Sequence, residues 1–325
     1  MNNNTILNIS GLMLSFKANN GFVQVIRGVD IQLNKGEILG ILGESGSGKT
    51  VTASSVLRLT QDSDLRIDGG SIIFDNTELT KLREKDMREI RGKRISYIFQ
   101  DASAALNPYK KVGKQLREVL KVHGESNDKN RIIVAMRKVG IDNAEIVYNM
   151  FPWQLSGGLC QRVLITMSTL CSPEIIIADE PTAAIDASLQ KKVLDLLKDI
   201  NIKDESSIII ITHDFDVVRY ICSRVVVMYG GLVMEEGSTK DILNKPLHPY
   251  TKELIRCVES LDNNDKELYS LIGKAPSPDE FKDQCPFYDR CKYKSSRCLE
   301  GIPKVRNIDG RRVRCILEDT GDFFE

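Results

Sequence analysis

Eight consecutive residues, Gly43-Glu44-Ser45-Gly46-Ser47-Gly48-Lys49-Thr50, restrict the folds open to this chain more than any other feature. They fit the pattern G-x-x-x-x-G-K-S/T without a mismatch, after the apolar run 37–42 and before a helical stretch that opens near Lys49. The glycines let a short loop turn its backbone N–H groups around phosphate oxygens, where a Cβ would obstruct both the turn and the approach. The following helix adds the partial positive charge of its N-terminus. In such a loop Lys49 reaches the β- and γ-phosphates and the Thr50 hydroxyl ligates Mg²⁺. The loop by itself does not choose among a kinase, a GTPase and a motor.

A strand, loop and helix of this kind call for an α/β fold, and the remaining pattern agrees. β-type runs read at 6–16, 23–33, 71–74 and 94–99, followed by a polar, largely helical middle. Short β-branched runs at 174–179, 207–212 and 224–228 then alternate with helical segments such as 188–200, as buried parallel strands with crossover helices do. The expectation is a doubly wound α/β domain with a helical insertion at about residues 101–170. Past Gly237 the composition shifts to prolines and clustered cysteines, which marks a small appended unit. With 325 residues and 42% apolar composition the chain has room for both. The expected division is 1–240 for the nucleotide-binding domain and 241–325 for the extension.

Forty-five basic residues balance 45 acidic ones, so no whole-molecule field draws the protein to nucleic acid or an anionic membrane. No apolar run approaches the ~20 residues that span a bilayer, and the polar start has no signal-peptide character, so a soluble, cytoplasmic chain is expected. In that compartment eight cysteines read first as metal or cluster ligands and not as disulfides.

The second half supplies acids. Ile175-Ile-Ile-Ala-Asp179-Glu180 is an apolar strand ending in adjacent carboxylates. Beside a phosphate loop, Asp179 would hold Mg²⁺ through its water shell and Glu180 would polarise the attacking water. Farther back, Ser156, Gly157 and Gly158 form a short loop at the head of a helix, a second anion site made of hydroxyl, N–H groups and helix dipole.

Leu155-Ser-Gly-Gly158 with Gln161-Arg162, followed by Asp179-Glu180, resembles the signature of ATP-binding-cassette (ABC) proteins. The other motifs follow in that family's order: Gln100 resembles the Q-loop, a Mg²⁺ ligand and coupling residue; Ala184-Ile-Asp186 resembles the D-loop; His213 resembles the switch histidine. Phe16, with Phe22 as the alternative, is the candidate to stack on adenine. The resemblance implies an ABC nucleotide-binding domain with an antiparallel β-subdomain. It also implies that the signature of one subunit closes over the ATP of another in a head-to-tail dimer.

Phe99-Gln-Asp-Ala-Ser-Ala-Ala-Leu-Asn-Pro108, His248-Pro-Tyr-Thr-Lys-Glu-Leu254 and Cys285-Pro-Phe-Tyr-Asp-Arg-Cys291 resemble the peptide and nickel importer branch. Departures occur at Leu159-Cys160, Ile185 and Asp289, none of which removes a catalytic group. The branch implies an ATPase driving import of oligopeptides or dipeptides. Nickel or a metallophore is the alternative cargo, and a soluble ABC ATPase acting on nucleic acid or the ribosome is a more distant reading. Implied partners are two integral membrane permease subunits, a second ABC ATPase chain forming a heterodimer and, indirectly, an extracytoplasmic solute-binding protein, with no nucleic acid. The place implied is the cytoplasmic face of the membrane.

Cys285, Cys291, Cys298 and Cys315 are spaced C-x5-C-x6-C-x16-C, without the tight pair of a zinc knuckle and without the ferredoxin run. Residues 282–315 also carry ten Lys/Arg against four Asp/Glu, so a zinc-bearing nucleic-acid module is a further reading. Resemblance to the importer extension favours a structural 4Fe-4S cluster over zinc and over unligated thiols. Cys160, Cys171, Cys222 and Cys257 are read as packing residues.

Overall fold

A computed structural model describes residues 4–19, 21–60, 64–183, 187–262 and 271–317. The chain opens with β1 (Thr5–Ala18), β2 (Gly21–Asn34), β3 (Ile38–Leu42), α1 (Lys49–Val56), β4 (Leu65–Phe74) and β5 (Thr77–Glu78). There follow α2 (Glu84–Arg88), β6 (Ile95–Ile98), α3 (Ala102–Ala105), α4 (Val112–Val122), α5 (Lys129–Lys138), α6 (Ala144–Asn149) and α7 (Gly157–Thr169). Next come β7 (Ile175–Asp179), α8 (Ala187–Asp204), β8 (Ser207–Thr212), α9 (Phe215–Ile221), β9 (Arg224–Tyr229) and β10 (Leu232–Ser238). The described chain ends with α10 (Thr239–Asn244), α11 (Pro249–Asp262), β11 (Arg306–Ile308) and β12 (Arg311–Val313).

Two compact units emerge, one of residues 1–33, 39–80 and 212–325, the other of 34–38 and 81–211. In the first, β2-β1-β4-β5 form a sheet in which β1 and β4 pair antiparallel, from Leu7 opposite Phe74 to Phe16 opposite Leu65. That pairing slips between Ser10 and Met13, where Gly11 and Gly70 cross with positive φ. A Cβ on Gly70 would lie 2.4 Å from the Gly11 carbonyl oxygen, so the crossing requires glycine. The same unit holds the order β11-β12-β10-β9-β3. β3 and β9 run parallel, with Ile41 beside Val226, and β9 returns antiparallel into β10 through Gly230 and Gly231. β12 pairs with β10, Val313 opposite Glu235, so the cysteine-bearing segment is built onto this sheet.

The second unit centres on β8-β7-β6, all parallel, with Tyr97 beside Ile177 and Ile177 beside Ile209. Isoleucine supplies nine of the fifteen buried residues of these strands, the apolar pattern of strands covered on both faces. α3 to α7 form the helical run. It is α/β throughout, with an antiparallel sheet in the first unit and parallel strands in both, and no helix among the described residues is long and apolar enough to cross a membrane.

Candidate functional site: the phosphate loop, the strand-end carboxylates and the signature helix

β3 is buried along its whole length and delivers the chain directly into the glycine-rich loop. Gly43 has φ +152°, and a Cβ there would fall 2.3 Å from the Met228 carbonyl oxygen and 2.8 Å from Ser47 Oγ. Gly48 caps α1 in the left-handed region at φ +100°, where a Cβ would strike Ile26 at 2.5 Å. Both glycines are therefore set by sterics. Buried Lys49 folds back over the loop, its Nζ donating to the carbonyls of Gly43 at 2.7 Å and Glu44 at 3.0 Å. The Ser47 hydroxyl is buried with no hydrogen-bond partner. Such an orphan is costly, and a phosphate oxygen is the kind of acceptor that would satisfy it. The loop therefore fits a nucleotide phosphate on its own geometry.

Thr50 opens α1 beside Lys49. His213 is exposed just past β8, in a turn held by Asp214, whose carboxylate accepts the Asp216 N–H at 2.8 Å and whose own N–H donates to Thr212 Oγ1 at 3.0 Å. Phe16 is half-buried on β1, whereas the exposed ring of Phe22 lies under the Arg66 guanidinium at 4.4 Å. Both belong to the first unit, with residues 43–50 and His213.

The second unit carries the acids. Asp179 ends β7, is buried, and accepts a 2.8 Å hydrogen bond from the Tyr97 hydroxyl. Burial and the Asp179 charge push that phenol well above its usual range, so Tyr97 is a fixed donor. Glu180 stands in the left-handed region at φ +47° and donates its N–H to the Ile211 carbonyl at 2.9 Å. A non-glycine residue held there is a strained position of the sort found at reactive sites. Gln100 is exposed beyond β6, before Asp101, which caps α3 by accepting the N–H groups of Ser103 and Ala104.

Exposed Ser156 caps α7, its Oγ accepting the Leu159 N–H at 3.4 Å, with Gly157 and Gly158 in the first turn. A Cβ on Gly158 would lie 2.1 Å from Leu189 on α8. Buried Gln161, one turn farther along, donates to the Pro181 carbonyl at 3.0 Å, which ties the signature helix to the turn after Glu180. Asp186 lies outside the described residues.

Two partners were not visible in the motifs. Tyr97 is 82 residues from the Asp179 that it orients. Arg290 grips Glu44 of the phosphate loop with two bonds, at 2.6 and 3.0 Å, across 246 residues. A tyrosine in the strand before Gln100, and an arginine beside a cysteine, carry no signal of their own.

The cysteine reading needs correction. Cys285, Cys291, Cys298 and Cys315 do line one nook with His248 and Phe287, but its space is about 10 Å³, about that of a single water molecule. Among the described residues no group of three or more His, Cys, Asp or Glu side chains is placed to hold a metal ion. Burial pushes the Cys285 thiol up to about 12 and Cys291 up to about 11, and it raises Cys315 as well. The four thiols pack as small hydrophobes, so neither the 4Fe-4S cluster nor zinc is retained. Spacing revealed their proximity but not the apolar collapse around them.

Residues 26–183 match the ABC transporter family, and residues 234–298 match the oligopeptide/dipeptide transporter C-terminal region. The chain is 41% identical to the dipeptide transport ATP-binding protein DppD of Bacillus subtilis, over 97% of this chain and 95% of that protein. It is 38% identical to the oligopeptide transport ATP-binding protein AppD of the same organism, over 96% of this chain and 97% of that one. Neither relative is named as an iron–sulfur protein, in keeping with the geometry of the four thiols. A solved dimeric ATP-binding cassette, in a post-hydrolysis state with ADP and phosphate, superposes with a TM-score of 0.64 at 25% identity, covering 72% of this chain and 98% of that one. With its phosphate loop, strand-end carboxylates and capped signature helix, the chain belongs to the ABC transporter ATPase family and is an ATP-binding, ATP-hydrolysing enzyme.

Proposed function

We propose that this chain is the motor subunit of a membrane importer for dipeptides and oligopeptides. The observation that carries the reading is the near full-length match to dipeptide and oligopeptide transport ATP-binding proteins, joined to the match of residues 234–298. Nickel or metallophore cargo has no comparable support.

Residues 43–50 hold the phosphates through backbone N–H groups and Lys49, and Phe16 stacks on the base. Thr50 and Gln100 would hold Mg²⁺ directly and Asp179 through its water shell, with Tyr97 fixing the carboxylate. ATP with its Mg²⁺ supplies an activated phosphoryl group of lowered charge. Glu180 orients and deprotonates the attacking water, and His213 holds the γ-phosphate side of the site. Ser156, Gly157, Gly158 and Asp186 serve the site of a second cassette, a related chain; a dimeric cassette among the similar solved structures favours this arrangement.

The proposed division is 1–240 for the cassette, with its helical part at about 101–170, and 241–325 for the importer-type extension. Within the helical part Tyr109 is 90% exposed and Trp153 70%, with Val122, Val134 and Ile146 also exposed. Apolar surface of that kind suits docking to two membrane permease subunits, with Gln100 linking the contact to the nucleotide. The protein then works on the cytoplasmic face of the membrane, served indirectly by an extracytoplasmic solute-binding protein.

The test is ATP-dependent uptake into proteoliposomes holding the membrane complex that co-purifies with this chain. Accumulation of labelled di- or oligopeptides is expected. Transport of nickel with no peptide uptake would overturn the cargo, and no co-purifying membrane protein would overturn the motor role.

A further inference from the structure

Glu44 is an odd residue for its place: a carboxylate in a loop shaped for a polyanion. Two groups from the part of the chain after β9 hold it. The Glu44 N–H donates to the Tyr250 hydroxyl on α11 at 3.0 Å. Its carboxylate receives both terminal nitrogens of Arg290, at 2.6 and 3.0 Å, the parallel two-bond geometry in which guanidinium and carboxylate bind best. The Arg290 side chain is only 7% exposed and also donates to the Tyr229 hydroxyl at 3.1 Å and the Ile272 carbonyl at 3.0 Å. Behind it Tyr229, Tyr250 and Phe287 form a three-ring cluster with centroids 4.5 to 5.5 Å apart. The rings fix where the guanidinium can sit, so its charge meets the loop at one place.

The geometry points to Arg290 as a positioning residue for nucleotide binding: it neutralises Glu44 and holds the phosphate loop, so that the C-terminal extension sets the affinity for ATP. The inference rests on the reading that residues 43–50 bind ATP. Without Arg290, an uncompensated carboxylate would stand in the loop that receives the triphosphate. Repulsion between them would fall on binding and not on the chemical step, because it acts on ground state and transition state alike.

The experiment measures ATP affinity and turnover of the full chain for wild type, Arg290→Met, Glu44→Gln and the double variant. Arg290→Met should raise the Kd and KM for ATP roughly tenfold, the order expected for one unneutralised charge beside a polyanion, with kcat at saturating ATP changed less than about twofold. The loss should shrink with added salt, as charge repulsion does. Glu44→Gln placed on Arg290→Met should restore part of the lost affinity, because the repelling charge is then gone. Unchanged affinity in Arg290→Met, or no rescue in the double variant, overturns the proposal. If Arg290→Met does not fold, Arg290→Gln takes its place, alone and with Glu44→Gln, under the same two criteria. Failure of the underlying reading looks different: wild type and Lys49→Ala would then bind ATP alike.

Discussion

Tyr97→Phe removes one oxygen and no packing volume, so its effect can be worked from a single contact. The lost bond is the 2.8 Å donation from a buried phenol to the buried carboxylate of Asp179. A hydrogen bond to a charged acceptor contributes roughly 1.5–3 kcal/mol, and the carboxylate left behind is less solvated than before. Taking about 2 kcal/mol, the melting temperature should fall by roughly 4–8 °C. Because the same bond fixes the rotamer of the proposed Mg²⁺-supporting residue, the Mg²⁺ concentration for half-maximal ATPase should rise severalfold. The assays are thermal unfolding by circular dichroism without nucleotide, and a Mg²⁺ titration of turnover at fixed ATP. Wild-type stability together with a wild-type Mg²⁺ requirement would refute both halves of the reasoning.

Lys49→Ala should weaken ATP binding as well as hydrolysis, since its ammonium acts on ground-state phosphates; nucleotide binding at wild-type strength would contradict this. Ser156→Arg should leave binding at this chain's own phosphate loop intact and abolish turnover at the partner cassette's site, and mixed-subunit assays that placed the defect in cis would disprove the head-to-tail arrangement. His248 is fully enclosed, and burial lowers its pKa from 6.5 to about 3, while Glu235, which accepts the Leu247 and His248 N–H groups, is raised by its own burial. The unfolded chain therefore takes up a proton on this imidazole first, so its contribution is complete above about pH 6.5 and is lost as pH falls toward 3. At 1.4 kcal/mol per unit, wild type should lose about 2 kcal/mol more than His248→Gln between pH 6.5 and 5 in urea unfolding, and parallel pH profiles would contradict the assignment.

What the sequence made legible was whatever local geometry dictates. The phosphate loop could be read because Gly43 and Gly48 occupy positions that a Cβ cannot share. Strands β7, β8 and β9 could be read because their faces are buried throughout. Ser156 was legible as a helix cap. The start of β4 was not, because Gly69-Gly70 reads as a turn and only its crossing with Gly11 on β1 makes it a bulged strand. β10 hides similarly: Glu235 and Glu236 look solvated but are buried, one accepting two backbone N–H groups at the head of α11 and the other pairing with Arg224 and Arg312. Tyr97 and Arg290 act through partners far along the chain, and the four C-terminal cysteines misled because spacing carries no information about burial.

Glu180, the strained residue after β7, is the group proposed to activate water in ATP hydrolysis. Measuring ATP affinity and single-turnover hydrolysis side by side for wild type and Glu180→Gln tests it most directly. ATP binding should stay within a few-fold of wild type while hydrolysis slows by ~10²-fold or more, because water activation and not nucleotide contact is removed. Hydrolysis at the wild-type rate, or a loss of affinity as large as the loss of turnover, would contradict it.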